Sequence, residues 1–168
     1  MTADQARVLR DWMVGIIETE AKGTRRVVAA IPNDKRHHKH DPKSRTAWEL
    51  ATHLVISDIW FADSIASGAF VWACEPSTPP EMTDPDAVAK WHEKHLDERL
   101  VRLRAMSDDE LLRDVDFFGT KAPAVMWLGI MNNHSVHHRG QLGTYLRPMG
   151  SKMPAVYGMS ADENMMAG

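Results

Sequence analysis

The sequence predicts an all-α four-helix bundle, and three observations support this fold class. Apolar residues recur every three or four positions through four long segments, prolines fall mainly between those segments, and the two-residue alternation of a strand is nearly missing. Helices with such stripes bury them against one another. We expect an up-and-down topology with a short extra helix or turn and a C-terminal tail. Residues 1–150 are predicted to form the bundle domain, and residues 151–168 a tail that packs on it or extends from it.

The composition is that of an ordinary globular protein of one domain, with 168 residues, 43% apolar and 26% charged. A net charge of -3 argues against general nucleic-acid binding, which favours a basic surplus. Cys74 is the only cysteine, so an intrachain disulfide is impossible. No apolar run approaches the ~18 residues of a membrane span, and no basic region precedes an apolar block at the N-terminus. The expected location is cytoplasmic, without a membrane partner.

The first helix is predicted to begin after Thr2 or Asp4 and to run to about Ala30, before Pro32. Two glycines, Gly15 and Gly23, weaken it locally, which favours close packing against a neighbour at those positions. Its apolar stripe comprises Leu9, Trp12, Met13, Ile16, Ile17 and Val27.

The second helix is predicted from Ser44 to about Ser67. Either Ser44 or Thr46 supplies the cap, and Glu49 can complete a capping box with Thr46. Its apolar stripe comprises Leu50, Leu54, Phe61 and Ile65, and His53 and Ser57 lie on the same stripe. A histidine in such a position requires a chemical explanation.

The third helix is predicted from Asp84-Pro85 to about Ala105, because an aspartate cap followed by proline is typical of a helix start. A short helix or turn begins at Ser107, and residues 114–121 read as a hairpin-like excursion. The last helix is predicted to begin near Ala122-Pro123 and to end before Pro148. In the loop from Phe70 to Pro85, Cys74 has no basic neighbour to activate it, so we expect an inert thiol.

The last helix carries the densest functional signal, three histidines within the segment Asn133-His134-Ser135-Val136-His137-His138-Arg139-Gly140-Gln141. His134 and His138 are four residues apart and share one face, whereas His137 lies ~100° away. Two imidazoles at this spacing can bind one metal ion at roughly 2.0–2.1 Å. The inward stripe of this helix comprises Trp127, Met131, His134, His138, Leu142 and Tyr145.

A third ligand is expected from a facing helix, since bundles place metal sites among inward side chains. His53 on the second helix is the simplest candidate. Three histidines leave at least one coordination position open, as in catalytic rather than structural zinc sites.

Several neighbouring residues keep alternative roles. Glu49 serves equally well as a capping residue or as an acceptor for an imidazole N–H. Arg139 and Gln141 could orient neighbours or bind substrate, although an outward Arg139 paired with an acid is favoured. His95 lies on the apolar stripe of the third helix and could line the cavity, whereas the loop histidines 37, 38 and 40 are read as solvated. The residues expected beside the ligands or in the pocket are Glu49, Ser57, His95, Trp127, Met131, His137, Arg139, Gln141 and Tyr145.

The two histidine motifs together resemble the DinB/YfiT-like superfamily of metalloenzymes. The resemblance rests on His53 within Trp48-Glu49-Leu50-Ala51-Thr52-His53-Leu54, on the segment His134 to Leu142, and on the tail Tyr157-Gly158-Met159-Ser160-Ala161-Asp162-Glu163. It implies a bundle with three histidines on nickel or zinc, frequently as a homodimer. Relatives with assigned activities include transferases and isomerases that use low-molecular-weight thiols such as bacillithiol or mycothiol.

The open coordination position admits two reactions. A metal ion can bind a thiol as thiolate, giving an S-transferase or detoxification enzyme, or lower the pKa of water to ~7, giving a hydrolase. The resemblance favours a thiol and a small-molecule substrate. Ser135 stands where a metallopeptidase HExxH motif has its glutamate, which argues against that chemistry. A metal-binding stress-response or ligand-sensing module without turnover is the alternative from another class.

Overall fold

The computed structural model describes residues 1–71 and 77–163 of the chain, in which helices dominate. Cys74 lies outside the described residues, so the inert thiol expected there stays a prediction. The elements are α1 (Ala3–Ala29), α2 (Ala47–Ser67), α3 (Pro85–Arg104), α4 (Asp108–Leu112), β1 (Asp114–Phe117), β2 (Thr120–Pro123) and α5 (Trp127–Leu146).

Capping residues set the helix starts. The Thr46 hydroxyl accepts a hydrogen bond from the Glu49 N–H at 3.1 Å, and the Glu49 carboxylate accepts one from the Thr46 N–H at 2.7 Å. Ser107 and Glu110 form the same capping box on α4. Each box satisfies N–H groups that have no partner inside the helix. The second helix therefore begins after Thr46 and not at Ser44.

The last helix begins later than the sequence predicts. Pro123 pairs with Asp114 in the antiparallel sheet of β1 and β2, so it belongs to a strand and does not open α5. A 3₁₀ turn, Ala124–Met126, follows, and the α-helix begins at Trp127. Gly119 in the hairpin turn has a φ of 82°, a conformation that favours glycine.

The order of the helices around the bundle differs from a simple up-and-down arrangement. α1 packs chiefly against α3 and α5, and α2 packs chiefly against the same two helices. The consecutive helices α1 and α2 thus occupy opposite corners, because the long segment 30–46 carries the chain across one end of the bundle. This crossing makes α2, which carries His53, an immediate neighbour of α5, which carries His134 and His138.

The core consists of two apolar clusters with a polar belt between them. One cluster includes Phe61, Leu96 and Met131, and the other includes Leu50, Val88 and Leu142. Along α2, α3 and α5 the residues between these clusters are polar at inward positions. The polar belt comprises His53, Asp58, His92, His134, Ser135, His138 and Arg139.

The tail contacts α1 and α5 over much of its described length. Arg26 on α1 donates hydrogen bonds to the Ala155 carbonyl at 2.6 Å and to the Glu163 carboxylate at 2.7 Å. Arg147 forms an ion pair with Asp162 at 2.8 Å. Within residues 1–71 and 77–163, no helix has the length and apolar character that crossing a membrane requires.

Candidate metal centre

His53, His134 and His138 converge in the groove between α2 and α5. The ring centroids are separated by 4.9 Å between His53 and His138, 5.3 Å between His53 and His134, and 4.4 Å between His134 and His138. One ring nitrogen of each histidine lies within 4.8 Å of the others. Nitrogens on a tetrahedral ion at ~2.1 Å lie about 3.4 Å apart, so small side-chain rotations complete the site. These three histidines could therefore hold a metal ion.

The second ring nitrogens of two of these histidines have side-chain partners one turn away or less. His53 Nδ1 lies 3.5 Å from Ser57 Oγ, and His138 Nδ1 lies 3.1 Å from Gln141 Oε1. A hydrogen bond at Nδ1 orients the imidazole and leaves Nε2 for an ion. Two of the residues predicted to lie beside the ligands, Ser57 and Gln141, thus contact them directly.

The third ring differs, because His134 Nδ1 is buried without a hydrogen-bond partner among the described residues. A buried polar atom without a partner costs free energy that a bound ion or a hydrogen bond would recover. The Phe61 ring, 5.3 Å from the His134 ring, provides an apolar wall on this side.

Burial keeps the three imidazoles neutral. It lowers the pKa of His53 to about 4, aided by the positive charges of Arg45 and His138. It also lowers the pKa of His134 to about 4, aided by His138 and His53. Burial lowers the pKa of His138 as well, although the hydrogen bond to Gln141 acts in the opposite direction. At neutral pH the nitrogen lone pairs are therefore available to an ion, and this donor set suits a divalent metal.

A buried polar network, which the sequence pattern did not predict, lies behind the histidines. Asp58, only 2% exposed, accepts hydrogen bonds from His92 Nε2 at 3.0 Å and from Ser135 Oγ at 3.1 Å. The network joins α2, α3 and α5. A signal was present, because Asp58 follows Leu54 by four residues on the apolar stripe of α2, where a carboxylate needs a partner.

The sequence pattern favoured an Arg139 on the outer face, but the structure buries this side chain. Its side chain is 3% exposed, and it forms an ion pair with Glu20 at 2.6 Å. It also donates to the Glu20 carbonyl at 2.8 Å and to the hydroxyl of Tyr157 in the tail. The pairing with an acid was expected, but its burial between α1 and the tail was not.

Other residues predicted for the pocket have different surroundings. Glu49 caps α2, which is one of the two roles predicted for it. His95 packs against the Trp91 ring at 4.3 Å, and the fully buried histidine of α3 is His92. His137 is exposed, with its ring 5.0 Å from that of His138.

The remaining aromatic and sulfur side chains of the predicted pocket belong to the packed core. Trp127 donates to the Val115 carbonyl at 3.2 Å, and Met131 is fully buried. The Tyr145 hydroxyl donates to the Arg45 carbonyl at 3.0 Å. These residues of α5 anchor the helix in the core rather than line an opening beside the histidines.

The fold has close structural counterparts in bacilli. A crystal structure of the DinB-like protein YjoA from Bacillus subtilis superposes with a TM-score of 0.70 at 27% identity, over 86% of this chain and 96% of YjoA. A crystal structure of a DinB-like protein from Bacillus cereus superposes with a TM-score of 0.71 at 24% identity, over 86% of this chain and 95% of that one. The latter supports the fold alone.

The sequence comparisons agree with this likeness. The chain is 28% identical to the uncharacterized Bacillus subtilis protein YjoA over 130 residues, which cover 76% of this chain and 82% of YjoA. It is 23% identical to the uncharacterized protein YrdA of the same organism over 156 residues, covering 92% and 89% of the two chains. The sequence profile of the DinB family matches residues 10–165, and this chain therefore belongs to the DinB family.

Proposed function

We propose that this protein is a divalent-metal-dependent enzyme that transfers a low-molecular-weight thiol to a small electrophilic molecule. The observation that carries the proposal is the group of three half-buried histidines, His53, His134 and His138, with ligand nitrogens within 4.8 Å of one another. Nickel and zinc are the proposed ions, because neutral imidazoles suit both.

An ion on three imidazoles, with a position left open, supplies a Lewis acid that lowers the pKa of a bound thiol or water. The residues of the chain prepare the site for this ion. Ser57 and Gln141 orient two of the rings, burial keeps the rings neutral, and Phe61 shields one side from water.

A thiol is preferred over water as the nucleophile, first because of the resemblance described above. The two acids of α2 that are nearest to His53 in the sequence support the same choice, because each already has hydrogen-bond partners. Glu49 is engaged in the capping box, and Asp58 is buried and accepts hydrogen bonds from His92 and Ser135. A thiol, with an ordinary pKa of ~8.5, needs less help from a general base than water does.

Elemental analysis of protein purified without an affinity tag tests the metal. We expect about one nickel or zinc ion per chain, and loss of that ion in His53→Ala, His134→Ala and His138→Ala variants that keep their helical circular dichroism. His137→Ala is the matched control, since this exposed neighbour on the same helix is expected to leave the metal content unchanged. Wild-type protein that takes up neither ion would contradict the proposal.

Light scattering of the same samples is expected to give the mass of a homodimer.

Assays with several low-molecular-weight thiols and a reactive electrophile test the reaction. We expect conjugation by the metal-loaded wild type and none by the three histidine variants. Hydrolysis without any dependence on thiol would replace the transferase by a metal-dependent hydrolase. Absence of turnover from metal-loaded protein would favour a metal-binding module over an enzyme.

A further inference from the structure

The loop that leads into α2 concentrates positive charge in a protein whose net charge is negative. Residues 35–45 contain five lysines and arginines and a single acid, whereas the whole chain has a net charge of -3. The basic loop is defined as these eleven residues, whose cations are Lys35, Arg36, Lys39, Lys43 and Arg45.

The basic loop is held at one end of the groove that contains the histidines. Its backbone carbonyls at Arg36 and His38 accept hydrogen bonds from the first N–H groups of α2, at 2.8 and 2.9 Å. On the other side, the Arg45 carbonyl accepts from the Tyr145 hydroxyl at 3.0 Å, and the His40 ring lies 4.0 Å from the Tyr145 ring. The loop thus bridges the start of α2 and the end of α5.

The helix geometry gives the distance from this loop to the candidate metal centre. His53 on α2 follows Arg45, which lies just before that helix, by eight residues, and His138 precedes Tyr145 by seven residues on α5. These separations correspond to about 10–12 Å along each helix. A small molecule that reacts at the histidines and extends along the groove must therefore be several bonds long to reach the basic loop.

The electrostatics of the site agree with this placement. Glu49 is the acid on this part of α2, and its carboxylate is held by the Thr46 cap, while Lys39 and Arg45 add to the lowering of its pKa. Asp58 lies behind the histidines and is paired with His92.

We propose that the basic loop, through Arg45 and Lys39, binds an anionic group, a carboxylate or a phosphate, on the thiol or the substrate that reacts at the three histidines. The anionic group lies several bonds from the reacting atom. This inference rests on the proposed function and adds the charge class and the approximate length of the ligand.

Cobalt-loaded protein and a matched pair of thiols test the inference without measuring turnover. The probes are 6-mercaptohexanoate and 6-mercaptohexanol, which have the same chain length and differ in charge at the far end. Thiol binding is followed by the sulfur-to-cobalt charge-transfer absorption. We expect wild-type protein to bind the carboxylate about fivefold more tightly, a ratio typical of one solvent-accessible ion pair, and less so at high salt.

Two double variants assign this preference to the loop. Lys39→Gln/Arg45→Gln is expected to remove most of the preference, while Arg99→Gln/Arg102→Gln, which removes the same charge from α3, keeps it. Cobalt content and circular dichroism of each variant establish that the site and the fold persist. Equal affinity of wild type for both thiols, or a preference that survives in Lys39→Gln/Arg45→Gln, would overturn the inference and leave the metal site standing. Failure of the wild type to take up cobalt would overturn the proposed function itself.

Discussion

Each of the three clustered histidines is buried enough to resist protonation, and this has a cost at acidic pH. In the unfolded chain a histidine has a pKa of ~6.5, whereas burial lowers the pKa of His53 and His134 to about 4 in the folded protein. Between these values the unfolded state binds more protons than the folded state. The free energy of unfolding must then decrease as the pH falls through this window.

We therefore expect metal-free protein to lose thermal stability as the pH is lowered from ~6.5 to ~5, before most carboxylates titrate. Melting temperatures measured across this range by circular dichroism check the expectation. The triple variant His53→Gln/His134→Gln/His138→Gln lacks the three imidazoles and should show a flatter dependence. A slope equal to that of the wild type would mean that these histidines do not cause the loss.

At the scale of the helix, α2 combines both kinds of polar residue that the bundle buries. His53 faces the groove with α5, and Asp58 lies in the interior between His92 of α3 and Ser135 of α5. A carboxylate in this position costs free energy by desolvation and recovers it only through its hydrogen bonds. The bonds therefore fix how the three helices meet behind the metal centre.

Removing that carboxylate should destabilise the protein strongly. Asp58→Ala leaves His92 and Ser135 without their shared acceptor, and we expect a loss of about 3 kcal/mol in the free energy of unfolding. Asp63→Ala on the same helix is the matched control, because Asp63 forms an exposed ion pair with Arg99 worth no more than about 1 kcal/mol. Urea denaturation measures both variants, and equal losses would contradict a special role for Asp58.

The features that the sequence predicted at this scale are those set by neighbouring residues. The capping box of Thr46 with Glu49 and the Asp84-Pro85 start of α3 depend only on contacts within one turn. The start of α5 was predicted too early because Pro123, a good first residue of a helix, is instead paired with Asp114 across the hairpin. That pairing is a tertiary fact that no local pattern contains.

The choice of the inward face on α3 shows a related limit. The spacing of apolar residues predicts His95 on the apolar stripe, whereas the buried positions of α3 include Val88, His92, Leu96 and Leu100, each four residues from the next. His92 interrupts the apolar pattern of α3. Its burial could not be predicted from that pattern, because its partner Asp58 lies on another helix. The histidine group was easier to predict, since two of its members are four residues apart on one helix.

At the scale of the whole molecule, the tail and α1 are packed together around Arg139. The Arg139 side chain passes beside α1, where it meets Glu20, and reaches Tyr157 of the tail. Gly23 lies at this crossing, and a Cβ atom there would stand 2.9 Å from Val156 Cγ1 and 3.1 Å from Arg139 Nη1. The glycine that weakens α1 thus allows the tail and the buried arginine to approach the helix.

Two alanine substitutions in α1 separate this close approach from helix propensity. Gly15→Ala has no other atom within 4 Å of the new Cβ, so the usual gain of alanine over glycine in a helix should raise the free energy of unfolding by about 0.8 kcal/mol. Gly23→Ala has the same gain in propensity, but two contacts oppose it. The 2.9 Å to Val156 forces one of the groups to move, and the 3.1 Å to Arg139 is tighter than an ordinary van der Waals contact. We expect Gly23→Ala to be less stable than Gly15→Ala by at least about 1 kcal/mol in urea denaturation.

Proteolysis of the tail should also be faster in Gly23→Ala than in Gly15→Ala if the tail is the group that moves. Equal stabilisation by both substitutions would contradict the close packing of the tail and Arg139 against α1.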